Sequence, residues 1–302
     1  MKKLSEEAFA GLKEQFGRRL LKDEVLAPYM SMKVGGPADY LFKPESEEEI
    51  KLAVSILKGE GVPYYIMGNG SNIIVRDEGY RGAIIMLGED FSAITVSDTF
   101  MYVQAGALLK DVAQAAAEHG LTGLEFASGI PGSIGGAVTM NAGAYGGEMK
   151  DVLVSIKALM ADCRIEEIPA QDAELSYRHS LFSSGEYIVL GAGLKLERGN
   201  MQDIYAEMNE LSQKRSEKQP LEHPSCGSTF KRPEGYYAGK LIMDSGLRGA
   251  RVGGASVSEK HCGFVVNDRG ATAADVLGVI ELVQHTVKEK QGVDLECEVK
   301  IL

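Results

Sequence analysis

The hydrophobic residues have the spacing of a helix in some segments of the chain and the spacing of a strand in others. Apolar residues at helical spacing predict a helix over 5–23 and a second helix over 46–61. Ser46 followed by Glu49 is a capping-box signature, and a glycine at 59 or 61 supplies the stop. The runs YYIMG, IIVRD and GAIIML then predict three short strands. A β-α-β-β unit over about residues 30–88 is therefore expected after the leading helix.

The rest of the chain predicts further α+β structure. AITVSDTFMYVQAGA and VLVSIKALMADCRIEEIP are typical of hairpins, YIVLGAGLKLE of a long strand, and ALLKDVAQAAAEHGL of a helix closed by Gly120. A charged helix follows from 201, and the helix TAADVLGVIELVQHTVKEKQG is capped by Thr272 and ended by Gly292. We expect three units, over 1–88, 89–198 and 199–302, with the terminal strand 293–302 returning to the first.

Composition narrows the class of protein. The 302 residues include 36 glycines but only 9 prolines, which indicates tight backbone geometry and not a flexible linker. A formal charge of −11 weighs against nucleic acid or an anionic membrane as partner. The four cysteines form no C-x-x-C pair, no two histidines have metal-ligand spacing, and no metal is expected. Without a signal-peptide core or a membrane-length apolar run, the expectation is a soluble, cytoplasmic protein.

Two glycine-rich turns are the first candidates for ligand binding. A P-loop and a G-x-G-x-x-G motif after the first strand are both absent. GNGSN (68–72) and SGIPGSIGG (128–136) instead are expected directly after strands, where successive N–H groups can converge on an anion. Side-chain donors there are Asn69, Ser71, Asn72 and Ser133. The same residue types are typical of ordinary tight turns, but two such turns in consecutive units favour one shared, phosphate-bearing ligand.

Three further segments leave alternatives open. Arg178 in SYRHSLF suits a bidentate bond to a carboxylate or a solvated loop position. Ser228 in CGSTFKRP suits a nucleophile, a proton donor or a turn residue. Glu298 in LECEVKIL falls on the solvent face of an amphipathic strand. The residues alone therefore indicate an anionic, nucleotide-like ligand and no particular reaction.

Taken in order, several segments resemble one family, the UDP-N-acetylenolpyruvoylglucosamine reductases. These segments are VGGPADYLFKP, MGNGSNIIVRD, LEFASGIPGSIGGAVTMNAGAYG, SYRHSLF, KQPLEHPSCGSTFKRP, GKLIMDSGLRG and LECEVKIL. The resemblance runs from about residue 28 to the C-terminus. It is to the shorter, type II form, because no insertion after Arg178 supplies a substrate-covering tyrosine loop. The implied fold is α+β, with a two-subdomain FAD-binding module of the vanillyl-alcohol-oxidase (PCMH) type and a C-terminal α+β substrate domain.

The resemblance also implies a reaction. NADPH reduces noncovalently bound FAD, and the hydride then passes to the terminal carbon of the vinyl ether of UDP-N-acetylglucosamine enolpyruvate. Charge collects on the carboxylate as an enolate-like intermediate. A proton then reaches the adjacent carbon and gives UDP-N-acetylmuramate for peptidoglycan synthesis. The implied partner is this small molecule, with no nucleic acid and no membrane.

Roles for individual residues follow from the resemblance only. Arg178 and Glu298 match the residues that stabilise the developing charge, and Ser228 matches the proton donor. Cys226, two residues earlier, is an alternative acid, but the family position falls on Ser228. The implied cofactor-binding residues are Gly68, Asn69, Gly70, Ser71, Asn72, Ala105, Gly106, Ser128, Gly129, Pro131, Gly132, Ser133, Gly135, Gly136, Ala137, Asn141, Gly143, Ala144 and Tyr145. The implied substrate-binding residues are Lys218, Lys231, Arg232 and Tyr237.

Two other functions remain open at this stage. A related flavoprotein acting on a small alcohol often tethers FAD through His or Cys, and neither of the two flavin loops contains His. A nonenzymatic nucleotide-binding protein would show no flavin spectrum that NADPH bleaches. Release of FAD by heat or acid tests the first alternative, and the visible spectrum before and after NADPH tests the second.

Overall fold

The computed structural model describes residues 2–302, which divide into two compact units. The first comprises 2–23, 39–69 and 81–214, and the second comprises 24–38, 70–80 and 215–302. Both predicted FAD subdomains contribute to the first unit, so this division does not test their boundary at residue 88.

The described residues form α-helices, 3-10 turns and mostly short strands. The helices are α1 (Glu6–Phe16), α2 (Glu47–Glu60), α3 (Leu109–Glu118), α4 (Ile134–Thr139), α5 (Met201–Lys218), α6 (Ala238–Asp244) and α7 (Ala273–Gln291). The 3-10 turns are Gly17–Arg19, Ala27–Tyr29, Glu89–Phe91, Glu125–Ala127, Met149–Asp151, Ala170–Asp172 and Leu181–Ser184. The strands are β1 (Leu20–Val25), β2 (Pro37–Phe42), β3 (Tyr64–Met67), β4 (Ile73–Ile74), β5 (Tyr80–Met86), β6 (Ile94–Ser97), β7 (Phe100–Gln104), β8 (Leu121–Thr122), β9 (Gly143–Ala144), β10 (Gly147–Glu148), β11 (Leu153–Leu159), β12 (Ile165–Pro169), β13 (Ile188–Lys195), β14 (Glu197–Arg198), β15 (Arg251–Val252), β16 (Ala255–Val257), β17 (Val265–Asn267) and β18 (Lys300–Ile301).

The first unit contains most of a four-stranded sheet in the order β1-β2-β5-β3, with β3 parallel to β5. Helix α2 connects β2 to β3 and buries Ile50, Val54 and Leu57 at helical spacing. Its ends are as predicted: the Ser46 hydroxyl accepts a hydrogen bond from the N–H of Glu49, and Gly61 closes the helix in the left-handed region.

A five-stranded antiparallel sheet in the order β12-β11-β13-β7-β6 completes the larger core. The central strand β13 is buried at every position except its last. A Cβ at Gly191 would lie 2.6 Å from the Tyr102 hydroxyl, so the sequence has glycine where a ring crosses the strand. Helix α3 packs through Leu109, Val112 and Ala116. The predicted hairpins, helix and long strand of this region are confirmed.

The second unit is built around α7, which buries Val276, Val279, Ile280, Val283 and Val287. The three-stranded antiparallel sheet β15-β16-β17 belongs to the same unit. The N-terminus of α7 has the expected Thr272 cap and a further acceptor. The Asp77 carboxylate accepts from the N–H groups of Ala273 at 2.8 Å and Ala274 at 2.9 Å. The 70–80 segment is thereby fixed to a helix almost two hundred residues later.

Three predictions of local structure were wrong. The leading helix predicted over 5–23 ends at Phe16, and the residues from Leu20 to Val25 form strand β1. The segment 128–136 does not follow a strand directly: the 3-10 turn Glu125–Ala127 precedes it, and its second half begins α4. The terminal strand is also much shorter than the alternation of 295–302 predicts, since only Lys300–Ile301 forms a ladder, parallel to β4. Within residues 2–302, no helix is both long and apolar enough to span a bilayer.

Candidate active site

The two predicted glycine-rich turns contact each other within the first unit. Gly68 follows β3 directly, and a Cβ added there would lie 2.1 Å from the Ser133 hydroxyl. The Asn69 Nδ2 donates to the carbonyl of Pro131 at 2.6 Å. Gly68 is therefore required by close approach to the second turn, and the two segments form one cradle (Gly68–Asn69 with Pro131–Ser133).

Ser133 is the polar side chain at the centre of this cradle. It is 2% exposed and precedes α4, but its hydroxyl does not cap the helix. The Oγ atom is buried and has no hydrogen-bond partner among the described residues. Burying an unsatisfied hydroxyl costs about 1–3 kcal/mol, so the site is built for an atom that the protein itself does not supply. A cradle of small residues with a spare hydroxyl fits the diphosphate of FAD.

The neighbouring backbone is less available than a phosphate nest would require. The N–H groups of Ile134 and Gly135 donate to the carbonyls of Ala107 at 2.9 Å and Ala105 at 2.8 Å. A Cβ at Gly135 would lie 3.0 Å from that of Ala105. Gly135 and Ala105 therefore contribute close packing, and those two N–H groups are not donors to a ligand.

The hairpin β9–β10 carries Tyr145 in its turn. Tyr145 and Gly146 form the turn with φ of 54° and 97°, and the Tyr145 side chain is 45% exposed. A cavity of about 540 Å³ lies between this tyrosine and α5, lined also by Asp203, Ala206, Glu207, Glu210, Leu211 and Lys214. Sequence reasoning missed the α5 side chains, because a charged helix surface carries no signal that distinguishes a cavity wall from a solvated face. Three carboxylates and one lysine make this cavity unfavourable for a diphosphate.

Arg178 lies at the tip of a two-residue turn in the first unit. Ser176 and His179 exchange backbone hydrogen bonds at 3.1 Å, and Arg178 has a φ of +54°. Its guanidinium is half-buried, lies 5.0 Å from the Tyr177 ring centroid and donates to the carbonyl of Gly143 at 3.5 Å. The arginine is therefore held against the same stretch that carries Tyr145.

In the second unit, an isolated antiparallel bridge pairs the segment that contains Ser228 with the segment that contains Glu298. Phe230 and Cys297 form a bridge, the N–H of Glu298 donates to Thr229 at 2.9 Å, and the N–H of Lys231 donates to Glu296 at 2.8 Å. Thr229 is buried and Ser228 is exposed, so the serine side chain is accessible beside the strand that carries Glu298. Glu298 itself is half-buried, whereas periodicity alone placed it on a solvated face.

The remaining residues of GNGSN belong to this second unit. Gly70 has a φ of +59°, and a Cβ there would lie 2.4 Å from the carbonyl of Tyr29. The Asn72 Nδ2 donates to the carbonyl of Glu298 at 3.1 Å, and the Asn72 carbonyl accepts from Lys300 at 3.0 Å. Asn72 therefore forms hydrogen bonds with the backbone of the segment that contains Glu298.

Cys226 is distinguished from Ser228 by its surroundings. The thiol is 5% exposed and donates to the carbonyl of Ile73 at 3.4 Å. Desolvation by burial raises the pKa of Cys226 to about 12. The buried thiol is not accessible to a ligand, whereas Ser228 is exposed, and this difference in accessibility favours Ser228 as the proton donor.

The predicted substrate-binding residues lie in different settings within the second unit. The Lys231 Nζ is 2.5 Å from the Glu296 carboxylate, so its charge is already paired. The Arg232 guanidinium stacks 4.0 Å from the Tyr237 ring centroid, and Tyr237 is 62% exposed. Lys218 ends α5 and is exposed. Arg232 and Tyr237 thus form an exposed cation–aromatic pair suited to a nucleotide.

The other predicted cofactor residues also have definite places. Gly129 and Gly136 are exposed, and Ala137 is buried at 3%. The Ser128 hydroxyl donates to the carbonyl of Glu125 at 2.8 Å. A Cβ at Gly106 would lie 2.2 Å from the carbonyl of Gly88. Gly106 is therefore needed for packing, whatever its distance from a ligand.

Comparison with known proteins identifies the family. Residues 38–168 match the FAD binding domain, and residues 219–302 match the C-terminal domain of UDP-N-acetylenolpyruvoylglucosamine reductase. The chain is 49% identical to the reductase of that name from Clostridioides difficile over 280 residues, covering 93% of this chain and 92% of the relative. It is 51% identical to the one from Agathobacter rectalis over 295 residues, covering 94% of each.

Solved structures agree. The reductase from Thermus caldophilus matches with a TM-score of 0.79 and 37% identity, covering 92% of this chain and 97% of that one. A glucose dehydrogenase, Phl p 4.0202, matches with a TM-score of 0.51 over 65% of this chain and 45% of its own, and its 15% identity makes it a likeness of fold alone. The fold is therefore the predicted α+β fold with a PCMH-type FAD module, and the chain belongs to the UDP-N-acetylenolpyruvoylglucosamine reductase family.

Proposed function

We propose that this protein reduces UDP-N-acetylglucosamine enolpyruvate to UDP-N-acetylmuramate with NADPH and noncovalent FAD, as a cytoplasmic step of peptidoglycan precursor synthesis. Bound FAD supplies hydride transfer from the nicotinamide to the vinyl ether. Gly68, Asn69 and Ser133 would hold its diphosphate, and the close packing of Gly135 on Ala105 would hold the Ser133 turn in place.

One observation carries the assignment of roles. The bridge between Phe230 and Cys297 pairs the CGSTFK segment with LECEV, so an accessible hydroxyl and a carboxyl lie on two hydrogen-bonded segments. A substrate that accepts hydride at one carbon needs a proton at the next carbon and stabilisation of charge between the two events. A hydroxyl and a carboxyl on paired segments supply these two functions.

Arg178 would stabilise the negative charge that develops on the substrate carboxylate. A guanidinium offers a fork of donors that matches the geometry of a carboxylate. Preorganised cations at a position where charge develops are among the strongest catalytic devices. The stack on Tyr177 restricts the guanidinium before substrate arrives.

Ser228 would donate the proton to the carbon next to the one that receives hydride. Glu298 would assist in its protonated form, by donating a hydrogen bond to the enolate-like intermediate. A serine hydroxyl is a weak acid, so this step depends on a strongly basic intermediate and on close placement of the hydroxyl against the carbon that takes the proton.

The remaining proposals concern binding and organisation. Lys218, Lys231, Arg232 and Tyr237 would contact the UDP portion, with Lys231 exchanging its pairing with Glu296 for the diphosphate. The chain would comprise the FAD subdomains 1–88 and 89–198 and the substrate domain 199–302. Its partners would be small molecules, with neither nucleic acid nor membrane bound.

Stopped-flow measurement of the two half-reactions tests the proposal. NADPH should bleach the flavin absorbance of the wild-type holoenzyme, and UDP-N-acetylglucosamine enolpyruvate should restore it. Ser228→Ala should leave bleaching within about twofold and slow recolouring by roughly a hundredfold or more, equivalent to about 2.7 kcal/mol of transition-state stabilisation.

Cys226→Ala is the matched control two residues away. It should recolour at close to the wild-type rate, because its thiol is buried and bonded to Ile73. If Ser228→Ala recolours at the wild-type rate and Cys226→Ala recolours slowly, the proton donor is the cysteine and not the serine. A wild-type flavin that substrate never reoxidises would overturn the proposed activity itself.

A further inference from the structure

Asn141 lies in the NAGAYGG stretch, where the sequence predicts contacts with FAD. Its side chain is nevertheless completely buried, with 0% exposure. Its backbone has a φ of +41°, a conformation that asparagine tolerates better than most residues. The residue is therefore placed in the interior of the first unit and not on a ligand-facing surface.

The side-chain amide of Asn141 is fully used by protein groups. Its Nδ2 donates to the Glu148 carboxylate at 2.5 Å and to the carbonyl of Ser176 at 3.2 Å, while its Oδ1 accepts from the N–H of Lys150 at 2.9 Å. An amide nitrogen has two hydrogens to donate, and both have partners here. No side-chain donor remains for a phosphate or a flavin ring.

The bond to Ser176 holds the turn that carries Arg178. The Ser176 carbonyl also accepts from the N–H of His179, so Asn141 binds the base of the turn whose tip is Tyr177–Arg178. Arg178 in turn reaches the carbonyl of Gly143, two residues after Asn141. The NAGAYGG stretch thus contacts the turn at its base and at its tip.

The other side of the turn is fixed separately. The hydroxyls of Ser180 and Ser183 both donate to the carbonyl of Thr139, at 2.8 Å and 3.0 Å. Ser180 is also completely buried. Asn141 is the side-chain anchor at the N-terminal base of the turn, and the two serines are anchors on its C-terminal side.

We propose that Asn141 is a positioning residue for Arg178 and not a ligand of FAD. The inference rests on the proposed role of Arg178 at the substrate carboxylate. Loss of the amide would leave flavin binding and flavin reduction intact, and would let the arginine turn move relative to the substrate. Small displacements of a charge-stabilising group have large effects on rate, up to about a hundredfold for 1 Å.

Two variants of the holoenzyme test this. Asn141→Gly removes the amide and is compatible with the positive φ, while Asn141→Ala also removes the amide but keeps a Cβ. In both, FAD affinity and the rate of bleaching by NADPH should stay within about threefold. Reoxidation by UDP-N-acetylglucosamine enolpyruvate should slow by roughly ten- to a hundredfold.

A double-mutant cycle shows whether the effect passes through Arg178. In an Arg178→Ala background, Asn141→Gly should slow reoxidation by less than about twofold more, because the group it positions is already missing. Val54→Ala, a truncation at a fully buried site in α2, supplies the control for lowered stability and should leave the reoxidation rate unchanged.

Three results would overturn the inference. Weakened FAD binding with slowed bleaching would make Asn141 a cofactor ligand. An equal loss in the wild-type and Arg178→Ala backgrounds would give it a role independent of Arg178. Unchanged reoxidation in both Asn141 variants would remove the role altogether. If the wild-type flavin is reoxidised and Arg178→Ala is slow, the proposed function stands whichever of these is found.

Discussion

Individual residues of the site are held in conformations that cost free energy. Arg178, Tyr145 and Asn141 have φ values of 54°, 54° and 41°, a region that side chains with a Cβ avoid by about 1–2 kcal/mol. The Ser133 hydroxyl is buried without a partner. Such features persist where surrounding structure fixes them, and they cluster at functional sites. All four residues belong to the first unit and to segments that the sequence marks as candidates.

Replacing Arg178 by glycine should separate stability from activity. Glycine adopts the left-handed backbone conformation without strain. The free energy of unfolding of Arg178→Gly should therefore exceed that of Arg178→Ala by about 1 kcal/mol. Both variants should lose reoxidation by substrate roughly a hundredfold or more, because both lack the cation. Urea unfolding and stopped-flow absorbance measure the two effects.

Different reoxidation rates in Arg178→Gly and Arg178→Ala would contradict this prediction. They would show that the backbone strain at residue 178, and not only its charge, affects the rate. Arg178→Lys is a useful third variant. It keeps the charge but not the fork, and it should recover only part of the rate.

At the scale of elements, local signals located the long helices well. Ser46 and Gly61 bound α2, and Thr272 and Gly292 bound α7, because caps are chosen by nearest-neighbour backbone chemistry. Helix α4 was missed, since six residues that include two glycines have no amphipathic period to detect. The terminal strand was overpredicted because alternation shows which side chains are buried and not whether a partner strand exists.

The ion pair that joins α2 to the end of the first 3-10 turn gives a pH-dependent prediction. Arg19 contacts both carboxylate oxygens of Glu49, at 2.5 Å and 2.6 Å, and this hydrogen bonding lowers the pKa of Glu49 below its ordinary 4.5. A lowered folded-state pKa gives stability that is present above the unfolded value and lost as the pH falls through the folded value. Glu49→Gln should therefore lower the free energy of unfolding at pH 7 by about 1 kcal/mol, which a lower melting temperature would report. The difference in melting temperature between the variant and the wild type should shrink below pH 4.5.

Asp162→Asn is the matched control, because its partner Arg164 is 73% exposed and the pair lies in solvent. It should change the melting temperature little at any pH. If the difference in melting temperature between Glu49→Gln and the wild type stays constant from pH 7 to pH 3, the charge of the pair contributes nothing to stability.

For the whole molecule, the bound cofactor is the feature with the largest predicted effect. The flavin loops 68–72 and 128–145 contain neither His nor Cys, so no side chain there can form the usual covalent tether. Heat or acid should release free FAD from the denatured holoenzyme, measured as yellow colour in the supernatant. Saturating FAD should also stabilise the apoprotein, by about 2.7 kcal/mol at a hundred times its Kd.

Riboflavin is the control ligand, since it lacks the diphosphate that the cradle around Ser133 would hold. It should raise the melting temperature much less than FAD. Flavin that sediments with the denatured chain, or equal stabilisation by riboflavin, would contradict noncovalent binding or the diphosphate cradle, respectively.

The sequence by itself determined the element types, the helix ends and the glycine-rich segments, because these depend on periodicity and on backbone freedom at single positions. Through its resemblance to one family it also indicated the function. Only the tertiary structure decided which segments meet. It placed Gly68 against Ser133, bonded Asn141 to the arginine turn, and paired CGSTFK with LECEV. Burial at these contacts depends on residues far away in the chain, whereas periodicity depends on near neighbours only. For the same reason the sequence could not show that Cys226 is buried and that Ser228 is accessible.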